Sequence, residues 1–101
     1  MSIYTAPSAA GPWTQVATIQ TCYYDCGLLI DDDDTMYVAY GSTNTMVAKL
    51  SSNGLSQVST TQVWAAPSSI GTVEGNRFHK RKGIYYILVD HPGTAEYVLM
   101  S

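Results

Sequence analysis

Apolar and polar residues change places along this chain in short runs, and almost nowhere do they recur at the spacing of an amphipathic helix. The runs that read as strands are Ile3 to Ala6, Trp13 to Ile19, Leu28 to Ile30, Met36 to Tyr40, Thr45 to Leu50, Val58 to Trp64, Arg77 to Lys80, Ile84 to Val89 and Tyr97 to Met100. Turn residues separate them: Gly11-Pro12, Asp31 to Asp34, Gly41 to Asn44, Ser51-Ser52-Asn53-Gly54, Pro67 to Gly71 and Pro92-Gly93. The pattern predicts an all-β chain.

The order of these elements repeats. One unit reads DCGLLIDDDDTMYVAYGSTNTMVAKL from Asp25, and a second reads EGNRFHKRKGIYYILVDHPGTAEYVLM from Glu74, an offset of 49 residues. Each opens on an acidic residue, then gives a short strand, a charged tight turn, a Tyr-bearing apolar strand, a Gly-containing turn and another strand. Four-stranded propeller blades recur at roughly 40–50 residues. The predicted architecture is a partial β-propeller of about two four-stranded blades. Residues 1–20 would be outer strands of a preceding blade, 21–66 a full blade and 72–101 an incomplete one. A small β-sandwich is the alternative, and it predicts no such repeat.

Composition narrows the function. A net charge of -3 and a pI near 5.0 argue against nucleic acid, which demands a dense basic patch. The basic run His79-Lys80-Arg81-Lys82 sits beside Gly83 and reads as a solvated turn. No apolar run approaches the ~20 residues of a membrane helix, and Ser2-Ile3-Tyr4-Thr5 lacks the start of a signal peptide. Cys22 and Cys26 have no nearby partners for a metal site, so two free, partly buried thiols are expected.

The repeat places Asp25 and Glu74 at equivalent positions, each just before the first strand of its unit. The first strand of a blade lines the central channel, so both carboxylates would face one axial cavity. Paired carboxylates are what glycoside hydrolysis requires. Capping of turns at blade entrances is the plainer reading of the same residues. Asp31 to Asp34 lacks the alternation of a calcium loop and, with Lys80 to Lys82, reads as an exposed hairpin turn. Trp13 and Trp64 are expected to pack between blades, and His79 and His91 to be structural. The Ser residues show no nucleophile-elbow pattern.

A resemblance sharpens these expectations. YYDCGLLIDDDDTMYVAYG resembles the blade motif of family 43 glycoside hydrolases, in which an Asp precedes a small residue, a short apolar strand, an Asp-rich turn and a Tyr-bearing strand ending in Gly. VEGNRFHKRKGIYYILVDHPGTAEYVL resembles that family's later blade, with its Glu-Gly pair, and SAAGPWT its Gly-Pro-Trp turn. The resemblance covers nearly the whole chain. It implies part of a five-bladed propeller that inverts anomeric configuration, using an Asp base, a Glu acid and a second Asp that tunes the acid. By motif, Glu74 matches the acid and Asp25 the tuning Asp, while no residue here matches the base. It further implies no cofactor, a xylose- or arabinose-containing oligo- or polysaccharide as substrate, and a secreted parent. Cys26 and Asn76 stand where the family commonly has Pro, which puts loop rigidity in doubt. Without a base, the other readings are a non-catalytic propeller fragment for carbohydrate binding or assembly, and a lone β-sandwich interaction domain. The open edge of Tyr97 to Met100 points to self-association.

Overall fold

Nine strands and no helix carry the chain, and the computed structural model describes residues 1–101. The strands are β1 (Ser2–Thr5), β2 (Thr14–Thr18), β3 (Gly27–Ile30), β4 (Met36–Tyr40), β5 (Asn44–Leu50), β6 (Gln57–Ala65), β7 (Glu74–Arg81), β8 (Ile84–His91) and β9 (Ala95–Met100). They form three sheets in chain order, β1-β2, β3-β4-β5-β6 and β7-β8-β9, each an antiparallel meander. The two larger sheets are successive meanders of the same plan, as the repeat predicts, and no strand crosses from one sheet to another.

Turn chemistry explains the register. Lys82 and Gly83 both take positive φ (52° and 79°) between the paired Arg81 and Ile84, the two-residue hairpin turn that matches strand twist. In the equivalent turn of the middle sheet, Asp34 adopts φ 62° and its N–H donates to Asp31 O at 2.9 Å. Asp tolerates this conformation better than most residues.

The central strands of the middle sheet, β4 and β5, are covered on both faces. Val38, Tyr40, Ala48 and Leu50 pack with Ile19 and Tyr23 in a cluster that Ile3 of the first sheet joins. Ala39 points the other way, into a cluster with Val73, Ile87 and Val89 that Val47, Trp64, Phe78, Tyr97 and Leu99 close. Side chains alternate along a strand, so a strand buried on both faces reads as the unbroken apolar run Met36 to Tyr40. The third sheet has one covered face, and its other face leaves Leu88, Val98 and Met100 exposed.

Where the two sheets meet, β3 approaches β7 backbone to backbone. A Cβ on Gly27 would overlap the Asn76 carbonyl oxygen and stand 3.0 Å from Arg77 Cα and Phe78 N. No side chain fits there. Gly27 also pairs with Ala39 in the β3-β4 ladder, so the seam between sheets is built from the two smallest residues.

Several expectations need correction. β7 begins at Glu74 instead of Arg77, because a bulge interrupts its pairing: Glu74 opposes Asp90, Arg77 opposes Leu88, and Gly75-Asn76 face the single Val89. Trp13 lies outside β2 and is 58% exposed, so it packs no blade interface in this chain, whereas Trp64 does pack toward Tyr97, centroids 6.5 Å apart. Cys22 and Cys26 are free but exposed, because their loop runs over the surface.

Candidate active site

Three segments converge at one end of the inner strands. The loop before β3 carries Tyr24 and Asp25, the β4-β5 turn carries Gly41 and Ser42, and the start of β7 carries Glu74, Gly75 and Asn76. Backbone bonds tie them: Gly41 N–H donates to Tyr24 O at 3.0 Å, and Val73 N–H to Ser42 O at 2.8 Å. The two residues singled out by the repeat therefore lie side by side across two sheets.

The Asp25 carboxylate accepts the Gly75 N–H at 2.6 Å, a charge-assisted bond one residue from Glu74. Asp25 holds φ 47°, in the left-handed region that non-glycine residues enter only when their surroundings hold them. Gly75 takes φ 70°, and the Asp90 carboxylate fills the space that a Cβ there would need. Both features favour glycine. Glu74 Oε1 accepts the Tyr24 hydroxyl at 3.0 Å. That bond, with the nearby carboxylate charge of Glu74, raises the Tyr24 pKa above its ordinary value. Behind them, buried Asn76 donates from Nδ2 to Asp25 O at 3.2 Å and to Gly41 O at 2.9 Å.

A second tie crosses the same seam at the far end of β3. Lys80 Nζ meets Asp31 Oδ1 at 2.5 Å and Asp32 Oδ2 at 2.8 Å, while the Tyr85 hydroxyl donates to Asp31 Oδ2 at 2.6 Å. Lys80 also lies over the Tyr85 ring, 5.0 Å from its centroid. The bonds from Lys80 and Tyr85 hold the Asp31 carboxyl down at about 2, and the same pairing raises Lys80. Asp31 keeps only 11% of its side chain exposed. The reading of Asp31 to Asp34 and Lys80 to Lys82 as exposed turns is thus corrected at Asp31 and Lys80. Lys80 lies within β7 and Asp31 directly after β3, and the opposite charges pair across the repeat.

Two hollows lie away from the Asp25 and Glu74 carboxylates. The chain has a hollow of about 770 Å³ against the third sheet, lined by Gly75, Arg77, Asp90, His91 and Glu96 among others, and one of about 510 Å³ between the second and third sheets. Neither is lined by Asp25 or Glu74. Asp25 is exposed and Glu74 half-buried at the open end of the seam. His79 is exposed on β7, and His91 is half-buried with a buried, unpartnered Nδ1. Tyr24, Asn76 and Asp90 were not singled out by the sequence. Tyr24 adjoins the motif Asp, Asn76 adjoins the Glu-Gly pair, and Asp90 carries no signal without the register of β8. The charge reversal at equivalent turns was the available sign of the Lys80 tie.

What the arrangement can do follows from its charges. A carboxylate oriented by a tyrosine hydroxyl stands beside a second carboxylate fixed on a backbone N–H, both at the open end of inner strands. That pair suits acid-base work on a neutral polar substrate entering from the axis.

Comparison with known proteins bears on the fold and the family. No protein of curated function matches the chain. Among solved structures, a GH43 glycoside hydrolase engineered in its active site to display endo-xylanase and exo-arabinofuranosidase activity is 55% identical, with a TM-score of 0.84 over 92% of this chain and 18% of its own. A xylan β-1,4-xylosidase from Bacillus halodurans C-125 is 22% identical, with a TM-score of 0.80 over 99% of this chain and 22% of its own. A bifunctional GH43-CE protein from Bacteroides eggerthii shares 22% identity and a TM-score of 0.69 over 96% of this chain and 14% of its own. The chain thus spans roughly a fifth of the length of the first two, and its meanders are blades of a partial β-propeller. Glycosyl hydrolases family 43 matches over residues 1–100, and the chain belongs to that family.

Proposed function

We propose that this chain supplies the leaving-group side of an inverting glycosidase site acting on xylan- or arabinan-type polysaccharide. In this reading Glu74 is the general acid, and Asp25 is the carboxylate that tunes and orients it. The observation that carries the reading is the contact of the Asp25 carboxylate with Gly75 N–H at 2.6 Å, beside Glu74 on the same strand. The substrate class rests on the 55% identity to an enzyme displaying endo-xylanase and exo-arabinofuranosidase activity.

The chemistry follows from the two carboxyl groups. Glu74 protonates the glycosidic oxygen as the bond to the anomeric carbon breaks, while a base on the opposite face of the sugar activates water. The Tyr24 hydroxyl occupies Glu74 Oε1, which leaves Oε2 to face the leaving oxygen. No residue of this chain matches the family's base, so the base comes from outside these 101 residues.

The test grafts residues 1–101 into the 55%-identical enzyme in place of the matching segment and compares leaving groups. Glu74→Gln should cut turnover of alkyl xylosides or arabinosides by about 10²–10⁴-fold, yet spare dinitrophenyl glycosides, whose leaving group departs without a proton. Equal losses on both substrates would remove Glu74 as the acid. No loss on either would favour a non-catalytic carbohydrate-binding module.

A further inference from the structure

We infer that Asn76 positions the site: its carboxamide grips Asp25 and thereby sets the geometry between Asp25 and Glu74. The inference deepens the proposed function and rests on that reading of the two carboxylates.

Asn76 is fully buried in the β7 bulge. Its polar neighbours on the Nδ2 side are two backbone carbonyls, Asp25 O at 3.2 Å and Gly41 O at 2.9 Å. Carbonyls only accept, so the amide end must face them, and both of its protons are spent. Its Oδ1 is left buried with no partner. Buried polar groups are satisfied in nearly every case, because an orphan is costly. An apolar side chain of the same size would leave no orphan oxygen, so packing alone gives no reason for an amide here. The double donation does.

The grip has two points. Gly75 N–H holds the carboxylate of Asp25, and the next residue, Asn76, holds its carbonyl. One contact would fix a distance, and two fix an orientation as well. Asp25 needs such a hold, since its φ of 47° is unfavourable for a residue with a Cβ. Glu74 directly precedes these two donors, so whatever fixes Asp25 to Gly75 and Asn76 fixes it to Glu74. Asn76 stands where the resembled motif commonly carries Pro, a residue with no hydrogen to donate. Here hydrogen bonding takes over the stiffening of this loop.

Nuclear magnetic resonance on the full chain tests the inference. The Gly75 amide proton should lie far downfield, and Asp25→Asn should abolish that displacement. In Asn76→Ala the displacement should be lost, Gly75 amide exchange should quicken roughly tenfold or more, and adding Asp25→Asn should change nothing further. Asn76→Asp keeps the shape but turns an oxygen toward both carbonyls, and should behave as Asn76→Ala does. A folded Asn76→Ala chain whose Gly75 amide stays downfield and still responds to Asp25→Asn overturns the inference. Should neither variant fold, the wild-type Asn76 Nδ2 protons decide: protection from exchange supports the grip, and free exchange overturns it. The leaving-group test on Glu74 reads the chemistry separately, so loss of that reading leaves the Gly75 signal to judge the grip alone.

Discussion

Gly27→Ala tests the seam that brings Asp25 and Glu74 together. The added methyl would overlap Asn76 O and crowd Arg77 Cα and Phe78 N at 3.0 Å. All three are backbone atoms of β7, so no side chain can swing aside, and relief requires β7 to move away from β3. Overpacking a close-packed interior costs typically 1–3 kcal/mol. The rigidity of the obstacle and the strain on the Asn76 bonds place this case near the top, about 3 kcal/mol. For a chain this short that is a fall in Tm of roughly 12–24 °C. Gly83→Ala is the control: it meets nothing within 4 Å and keeps only the conformational strain of φ 79°, about 1 kcal/mol or 4–8 °C. Thermal and urea melts of both variants by circular dichroism give the comparison. If Gly27→Ala melts no lower than Gly83→Ala, the two backbones do not meet as described.

Three further outcomes are expected. The Asp31 carboxyl sits at about 2, below its unfolded value of roughly 3.9, so its contribution to stability is complete above pH ~4 and is lost as pH falls through about 2; urea midpoints between pH 4 and 2 should slope less in Lys80→Met than in the parent, and equal slopes would deny the tie. The isolated chain should hydrolyse aryl xylosides and arabinosides at background, because it lacks a matching base; a robust rate abolished by Glu74→Gln would mean that a base is present. The exposed Val98 and Met100 on the edge strand β9 should promote self-association, visible by light scattering across a dilution series; a monomer at all concentrations would contradict it.

Strand order was readable from the sequence because turn residues and alternation act locally. Met36 to Tyr40 was delimited correctly, since a strand buried on both faces is apolar throughout and ends where Gly41 turns the chain. The start of β7 was not, because Glu74-Gly75-Asn76 is a bulge stabilised by contacts about 50 residues away. The pairing of Asp25 with the Glu74 segment followed from the repeat offset, whereas Asn76 looked like a mere departure from a motif. Its role depends on two carbonyls that only the folded chain brings together. Lys80 illustrates the opposite failure: the clue was in the sequence, a basic turn equivalent to an acidic one, but each turn considered alone looks solvated.

The cover on the central strands of the middle sheet has a consequence for how long the site persists. Asp25 precedes the middle sheet, whose central strands pack against both neighbouring sheets, and Glu74 opens a sheet docked on one face through Ile87 and Val89. Local openings of a protein follow such boundaries, with cooperative units detaching before the whole unfolds. The third sheet can therefore lift from the second while every strand ladder stays intact. In that event the two carboxylates part company with no loss of secondary structure. The lifetime of the Asp25–Glu74 arrangement is then set by the undocking of the third sheet, in which the apolar cluster, the Lys80–Asp31 tie and the bonds of Gly75 and Asn76 to Asp25 give way together.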